Sequence, residues 1–416
     1  MRFIHLSDLH LGYYPKGVKV NPGVVRDGLY GLRRLINNKT LENFGRAVEY
    51  AIDKDIKLFL LAGDIFEDVD SSLQYSKKLG KYLEELVREN IYIVAIAGNH
   101  DAKVKVMKRA SLTLFSSGLS SYIRYVDVYS TSDLQSFRNG YTLDYKDLDV
   151  SIVPLPYIYP EEGWRNLVRS YIERSVSNSK YRYKVLLAHV QVDRVRYSNM
   201  YSDRWEEMIP IDTLLLTDIR HDLFDYVALG HIHLMQKVVV DKVYYSGSLN
   251  RLRFDEALDD KYFLDVELDG SVKVNPIKVD PIKMYYVKLN LDDYDSIDSI
   301  IDSIAGEVSN PRESLVKIKF VFINRDRYKR LKDKVITKIP DYLFSSGIYG
   351  YKIEFKHLEP IYLERSSVSG DTLNIKRELR VEAALKQYID ERFSDRDEAY
   401  RDRLYKLAIK YLEEVG

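Results

Sequence analysis

The chain has 416 residues, more than one hydrophobic core usually supports, so two or three domains are expected. Its 63 Lys and Arg balance 63 Asp and Glu, so no global charge argues for nucleic acid and any basic groove must be local. It contains no cysteine, which excludes disulfides and thiolate metal sites and leaves imidazole, carboxylate and amide as the available ligands for a hard or borderline ion.

Hydrophobic content of 45% and charged content of 30% describe a soluble globular protein. No apolar stretch approaches the ~20 residues of a membrane helix, and Met1 to His5 enters a strand-like run without a signal-peptide pattern, so no membrane association and a cytoplasmic location are expected.

In chain order, Phe3 to Leu6 reads as a first strand that delivers Asp8-Leu9-His10 into a glycine-containing turn. Period two puts Asp8 and His10 on one side if extended geometry persists. Lys16 to Thr40 is expected to be irregular or partly helical, and Leu41 to Asp53 has helical spacing. Leu58 to Ala62 is a second strand, ending at Gly63-Asp64-Ile65-Phe66-Glu67. A helix from Leu73 to Arg88 follows, and Ile91 to Ala97 forms a third strand, ending at Gly98-Asn99-His100-Asp101. Met107 to Leu119 is expected to be helical, and 121–128, 140–145 and 150–154 are expected to be strands of a second sheet layer. Trp164 to Ser175 suggests a helix, and Lys184 to Ala188 is a buried strand that hands over His189.

The apolar run Tyr226-Val227-Ala228-Leu229 then ends in Gly230-His231-Ile232-His233. A buried strand that stops at glycine releases the next residues where an α/β sheet presents its ligand crevice. The segments 237–240, 243–245 and 262–268 read as antiparallel strands closing a first domain near Asn275, with Pro276 and Pro281 bracketing a linker. A small α+β domain is expected over 284–358, alternating strand, helix, strand, helix, strand. A second linker carries Ser366, Ser367, Ser369 and Gly370 and precedes a tail, 372–416, with two helices at amphipathic spacing.

Asp8, His10, Asp64, Asn99, His189, His231 and His233 thus supply seven oxygen and nitrogen ligands, all at expected carboxyl ends of strands. That inventory suits two divalent ions with one shared carboxylate, able to clamp a phosphate and activate a water for in-line attack on phosphorus. His100, beside Asn99, is placed to give a proton to the leaving oxygen. A lone Asp-x-His, a lone Gly-Asp or His189 alone favours a bland reading, whereas Gly98-Asn99-His100-Asp101 and Gly230-His231-Ile232-His233 are more specific. Five of the eight histidines fall in these motifs, which makes the joint pattern improbable by chance. His5, His221 and His357 follow no such turn and are read as structural.

The motifs D-x-H, G-D, G-N-H-D, H and G-H-x-H resemble the signature of the calcineurin-like metallophosphoesterases. Within that group the chain resembles the SbcD/Mre-eleven nucleases of double-strand break repair, through Asp8-Leu9-His10-Leu11-Gly12-Tyr13, Gly63-Asp64-Ile65-Phe66 and Tyr245-Ser246-Gly247-Ser248-Leu249-Asn250-Arg251. The resemblance implies an α/β fold with a two-layered β-sandwich metallophosphoesterase core flanked by helices, over 1–275. A small α+β capping domain over 284–358 and a helical tail over 372–416 would follow. It further implies one ion held by Asp8, His10, Asp64 and His233 and another by Asp64, Asn99, His189 and His231, with manganese preferred and His100 catalytic. A homodimer through helices near 73–88 and 107–119, and a Rad-fifty/SbcC-type ATPase bound to the tail, are implied as partners beside DNA. One departure stands out, because the family commonly has histidine after Gly-Asp-x-Phe and this chain has Glu67.

Lys103, Lys105, Lys108 and Arg109, then Arg194 and Arg196, then Arg251 and Arg253 follow the metal motifs and could form a phosphate-binding rim. A metal-dependent DNA nuclease is the leading expectation. A phosphatase or phosphodiesterase acting on small molecules shares the same core, and a DNA-end-binding scaffold with secondary catalysis is a third reading.

Overall fold

The computed structural model of the chain describes residues 1–103, 108–109, 121–127, 140–193, 195–201, 213–238, 240–358 and, in the tail, Lys386, Ile389, Arg401, Asp402 and Tyr405. The chain divides into two compact units, Met1–Leu358 and Glu359–Gly416.

The first sheet starts with β1 (Arg2–Leu6) at its centre, and alternation of side chains decides what each face meets. β1 pairs in parallel with β3 (Leu58–Leu61), which pairs in parallel with β4 (Tyr92–Ile96) and through it with the edge strand β5 (Ile123–Val126). Phe3, Leu58, Leu60, Val94 and Ile96 point into the space between two sheets. Their alternates Ile4, Leu6, Phe59, Leu61, Ile93 and Ala95 pack under α1 (Gly28–Asp53) and α2 (Val69–Arg88), against Phe44, Val48, Leu79 and Leu83. Strands covered on both faces have no polar alternation, which is why these runs are continuously apolar.

The second sheet carries β6 (Leu143–Tyr145), β7 (Val150–Leu155), β8 (Tyr183–His189), β9 (Tyr226–Gly230), β10 (Gln236–Lys237) and β11 (Val243–Tyr245), in the order β10-β11-β9-β8-β7-β6. Its core strands β7, β8, β9 and β11 run in parallel. Helix α3 (Trp164–Ser177) packs on this sheet, and its Tyr171 hydroxyl donates to the Pro154 carbonyl at 2.7 Å.

Several expectations change here. The first long helix begins at Gly28 instead of Leu41. Its first half faces two ways, with Leu32 and Ile36 against Phe254, Ile282, Met284 and Leu315, while the buried Asn37 holds the Tyr13 carbonyl at 2.9 Å. A buried asparagine and a divided apolar stripe hide the helical period. Segment 123–126 joins the first sheet, not the second layer, because its pairing to β4 is parallel and nonlocal. The three strands expected to close the domain together are split: β10 and β11 belong to the second sheet, whereas β12 (Lys261–Leu268) lies antiparallel to β1. Pro276 does not start a linker. It sits inside β13 (Val272–Val279), the edge strand beside β12, where a missing N–H can face away from the ladder. Lys108–Arg109 forms a short strand with Ala102–Lys103 within the stretch expected to be helical, and the rest of 107–119 lies outside the described residues.

A further sheet is built by β14 (Lys283–Asn290), β15 (Ser314–Phe322) and β16 (Gly350–His357), all parallel, with α4 (Ile297–Glu307) and α5 (Arg325–Ser345) in the crossovers. Its core gathers Val287, Leu289, Ile300, Ile304, Ile318, Phe320, Leu331 and Val335. Its other edge is β2 (Lys19–Val20), antiparallel to β16, so a strand from the start of the chain completes it.

In the second unit the five described residues are helical, Ile389 is buried, and the Lys386 ammonium lies 5.7 Å from the Tyr405 ring centroid. The remainder of the expected tail helices, including Tyr400, Leu404, Leu407 and Tyr411, lies outside the described residues. No helix among the described residues is long and apolar enough to cross a membrane.

Candidate metal centre

The loops after β1, β3 and β4 bring Asp8, His10, Asp64, Asn99 and His100 to one edge of the sandwich, and β8 and β9 bring His189, His231 and His233 to the same edge. Close approach of the backbones makes this possible. A Cβ on Gly98 would land on the Asp64 carboxylate, and one on Gly230 would land on the Ala62 carbonyl. The loops are zipped together by main-chain bonds, Asp8 N–H to Gly63 O, His10 N–H to Asp64 O and Leu11 N–H to Ile65 O, all at 3.0 Å. Buried Asp101 pins them from below by accepting from Gly98 N–H (2.8 Å) and Phe66 N–H (2.9 Å). This scaffolding matters because Asp8, His10, Asp64 and His231 all adopt positive φ, a conformation that costs a non-glycine residue about 1–3 kcal/mol.

Three groups of side chains come close enough to share an ion, each with donor atoms within 4.8 Å of one another: Asp8, His10 and His233; Asp64, His189 and His231; and His10, Glu67 and His100. Asp64 lies between the first two. Its Oδ2 is 3.4 Å from His10 Nε2 and 3.4 Å from His189 Nε2, while Oδ1 accepts from the His100 N–H at 2.9 Å. Asn99 Oδ1 is likewise 3.1 Å from His189 Nε2 and 3.0 Å from His231 Nδ1. All seven expected ligands therefore converge. Asp8, His10, Asp64 and His189 are buried, whereas Asn99, His100, His231 and His233 are half-buried and form the open side.

Hydrogen bonds behind the imidazoles fix which nitrogen faces inward. His10 Nδ1 is 2.9 Å from Glu67 Oε2, His233 Nδ1 is 2.9 Å from Glu256 Oε1, and His189 Nδ1 is 2.7 Å from the Ala62 carbonyl. Carboxylates and carbonyls only accept, so each Nδ1 carries the proton and each Nε2 turns a lone pair inward. The Nε2 atoms of His10 and His233 then meet at 3.2 Å with no proton between them, and His189 Nε2 meets the oxygens of Asn99 and Asp64. Such contacts between acceptors are repulsive unless a cation or a proton joins them. The donor set fits divalent ions: hard oxygens and imidazoles, already desolvated and aimed inward.

The electrostatics point the same way. Burial opposes a charge on His189, but the Asp64 carboxylate outweighs it and pushes the pKa up to about 9. Burial likewise opposes ionisation of Asp64, yet His189, His10 and His100 hold its carboxyl well below the usual range. His100 is raised too, burial being outweighed by Asp64 and Glu67. The site calls for positive charge, which protons or metal ions can supply in competition.

Three features escaped the sequence reading. Glu256 is fully buried, and its Oε2 accepts from Lys261 Nζ at 2.7 Å. The buried Lys261 ammonium spends its other two donors on the His233 carbonyl and Ser248 Oγ, both at 3.0 Å. A run such as Arg253-Phe254-Asp255-Glu256 reads as solvated surface, and only an inward lysine opening β12 hints otherwise. The Tyr157 ring also lies flat beside His231, 6.3 Å between centroids. Glu67 was singled out as a departure, and its role follows from position.

The expected basic rim is redistributed. Arg251 is a structural staple, donating to the Asp259 carbonyl (3.0 Å) and the Ile282 carbonyl (3.2 Å). Arg196 is exposed and Arg253 pairs with Asp255 at 2.8 Å. Lys105 and Arg194 lie outside the described residues, as do the side chains of Lys103, Lys108 and Arg109. A cleft of about 870 Å³ opens beside Glu67, and Lys16, Arg33, Arg253, Lys317 and Lys352 line it. His5 is buried and satisfied by Tyr226 Oη (3.0 Å) and the Leu229 carbonyl (3.2 Å), with burial pulling its pKa down to about 3.

A family model described as calcineurin-like phosphoesterase matches residues 1–235, a span that contains all seven converging ligands and His100. A dimetal phosphatase from Danio rerio is similar among solved structures, 12% identical over 67% of this chain and 98% of that chain, with a TM-score of 0.34.

Proposed function

Because the chain belongs to the calcineurin-like phosphoesterases and is therefore a metal-dependent hydrolase of phosphoesters, we propose that its substrate is the phosphodiester backbone of DNA. The two ions, manganese by preference, would be held by Asp8, His10, Asp64 and His233 and by Asp64, Asn99, His189 and His231. When bound they supply Lewis acidity, neutralising charge on the phosphate and lowering the pKa of the attacking water. The chain's own part is orientation and proton delivery. His100 Nδ1 is 3.0 Å from the Glu67 carbonyl, so Nε2 is the free position, and Asp64 and Glu67 favour its protonated form. That proton can pass to the leaving oxygen.

The observation that carries the DNA reading is the cleft beside Glu67. It is several times the size of a phosphate and is lined by cations of the metallophosphoesterase span and by Lys317 and Lys352 of the sheet formed by 283–357, which share Glu354 at 2.9 Å, with Tyr14 beside Arg33 and Tyr286 beside Lys317. Cations that track a backbone and aromatic faces that meet bases are what a nucleic-acid strand requires. One observation favours a smaller substrate. Glu67, Asp68, Asp70 and Asp255 line the same cleft and oppose a polyanion.

Labelled single-stranded and duplex DNA, assayed with manganese beside a chromogenic phosphodiester, separates the two. DNA cleavage that weakens in Lys317→Ala while the small ester is still cut supports the nuclease. Turnover of the small ester alone refutes it. The proposal extends to a Rad-fifty/SbcC-type ATPase bound by the tail, for which deletion of 372–416 should abolish co-purification and spare cleavage. It also extends to a homodimer, visible by light scattering. Tyr75, Leu79, Leu83 and Leu86 of α2 are buried on the first sheet, so a dimer would use the polar side of that helix.

A further inference from the structure

Glu67 follows the β3 loop and precedes Asp68, whose side chain caps α2 by accepting from the Ser71 N–H at 2.7 Å. Its own N–H donates to the Leu11 carbonyl at 3.0 Å. The backbone is therefore fixed on both sides. Two imidazoles converge on this residue: His10 Nδ1 lies 2.9 Å from the carboxylate Oε2, and His100 Nδ1 lies 3.0 Å from the main-chain carbonyl and 3.7 Å from Oε2. The two rings meet edge to face, 4.7 Å between centroids.

We propose that Glu67 is the positioning residue of the centre, its carboxylate setting the tautomer of His10 and its carbonyl that of His100. The proposal rests on the two-metal reading for its consequence, though not for its geometry. A neutral imidazole exists as two tautomers, and only the one with hydrogen on Nδ1 leaves Nε2 able to bind an ion. A carboxylate cannot donate, so at 2.9 Å it selects that tautomer alone. A histidine in the same place could donate or accept and would leave His10 a choice.

His10, Glu67 and His100 also approach one another closely enough to suggest a third ion. The proton positions argue against it. Both Nδ1 atoms point hydrogen at Glu67, and an ion among the three would have to displace both. Because the side chain serves one imidazole and the backbone serves the other, substitution should separate them.

The test uses the full chain with Glu67→Ala, Glu67→Leu as a bulkier control for folding, and Glu67→Gln, whose amide oxygen can still accept from Nδ1. Imidazole nitrogen spectra of metal-stripped protein read each tautomer directly, and manganese titration reads the two ions. In the alanine and leucine variants His10 should become a tautomer mixture and one manganese should bind about 10- to 100-fold more weakly. His100 should keep its proton on Nδ1 in every variant, and glutamine should restore most of the manganese affinity. An unchanged His10 tautomer with both ions bound as in the parent chain would overturn the proposal. A parent chain that binds fewer than two ions would sink the two-metal reading instead, and the metal-free spectra would still decide the role of Glu67.

Discussion

His10 and His233 face each other across 3.2 Å, and each rests its Nδ1 on a glutamate 2.9 Å away. Behind the glutamate the two sides differ. Glu256 is wholly buried and neutralised by an equally buried Lys261, whose three donors are all spent. Glu67 has a quarter of its side chain exposed, faces the cleft and has His100 beside it instead of a lysine. The inner support is thus part of the fold, since removing one partner strands a charge in a dry interior. The outer support is part of the reaction space, where a change is solvated and its cost falls on chemistry. One pair of imidazoles can in this way combine a fixed member with a tunable one.

The widest separation between the two sides is expected from His100→Ala. Turnover should fall by about 10²- to 10⁴-fold, the usual worth of a general acid, while metal content stays at that of the parent chain. Loss of metal in this variant would mean that the outer side is as structural as the inner. Next comes Lys261→Met, which leaves Glu256 charged and uncompensated and should cost about 3–5 kcal/mol in urea unfolding. Glu67→Ala should lose about 0.5–1.5 kcal/mol, the value of one hydrogen bond. Equal losses would erase the distinction.

A pH series sharpens the comparison on the buried side. In metal-stripped protein the folded-state pKa of His189 is raised from 6.5 to about 9, Asp64 overcoming the cost of burial. A raised pKa stabilises the fold fully below pH ~6.5 and loses that contribution as pH rises through about 9. At ~1.4 kcal/mol per unit this is a few kcal/mol, read from melting between pH 6 and 10. Manganese should release protons in the same window, measured by calorimetry in buffers of different ionisation enthalpy. A melting temperature flat from pH 6.5 to 9 would contradict the assignment.

The convergence of these side chains was legible in sequence because each expected ligand follows an apolar run that stops at a polar or glycine turn, a local signal that survives without tertiary information. The alternation strand, helix, strand, helix, strand over 283–357 was legible for the same reason. What escaped depends on residues distant in the chain. The parallel pairing of Ile123–Val126 to β4 has no local mark, and Pro276 breaks a strand only if the strand is not at an edge. The helix from Gly28 was hidden because its first turns bury Asn37 for the loop at Gly12 and Tyr13. Glu256 and Lys261 look like surface charge because nothing near them in sequence says that His233 needs a base behind it.

Lys19–Val20 closes the sheet whose other members come from 283–357. A ribosome adding about 5–20 residues per second reaches Gly350 roughly 15–65 seconds after releasing Val20. Through that interval the strand lacks the partner it has in the folded unit. The last sheet of this unit to close therefore recruits one of the first strands made. A chain interrupted after β13 would carry every converging ligand and still leave the segment between Gly12 and α1 without its partner.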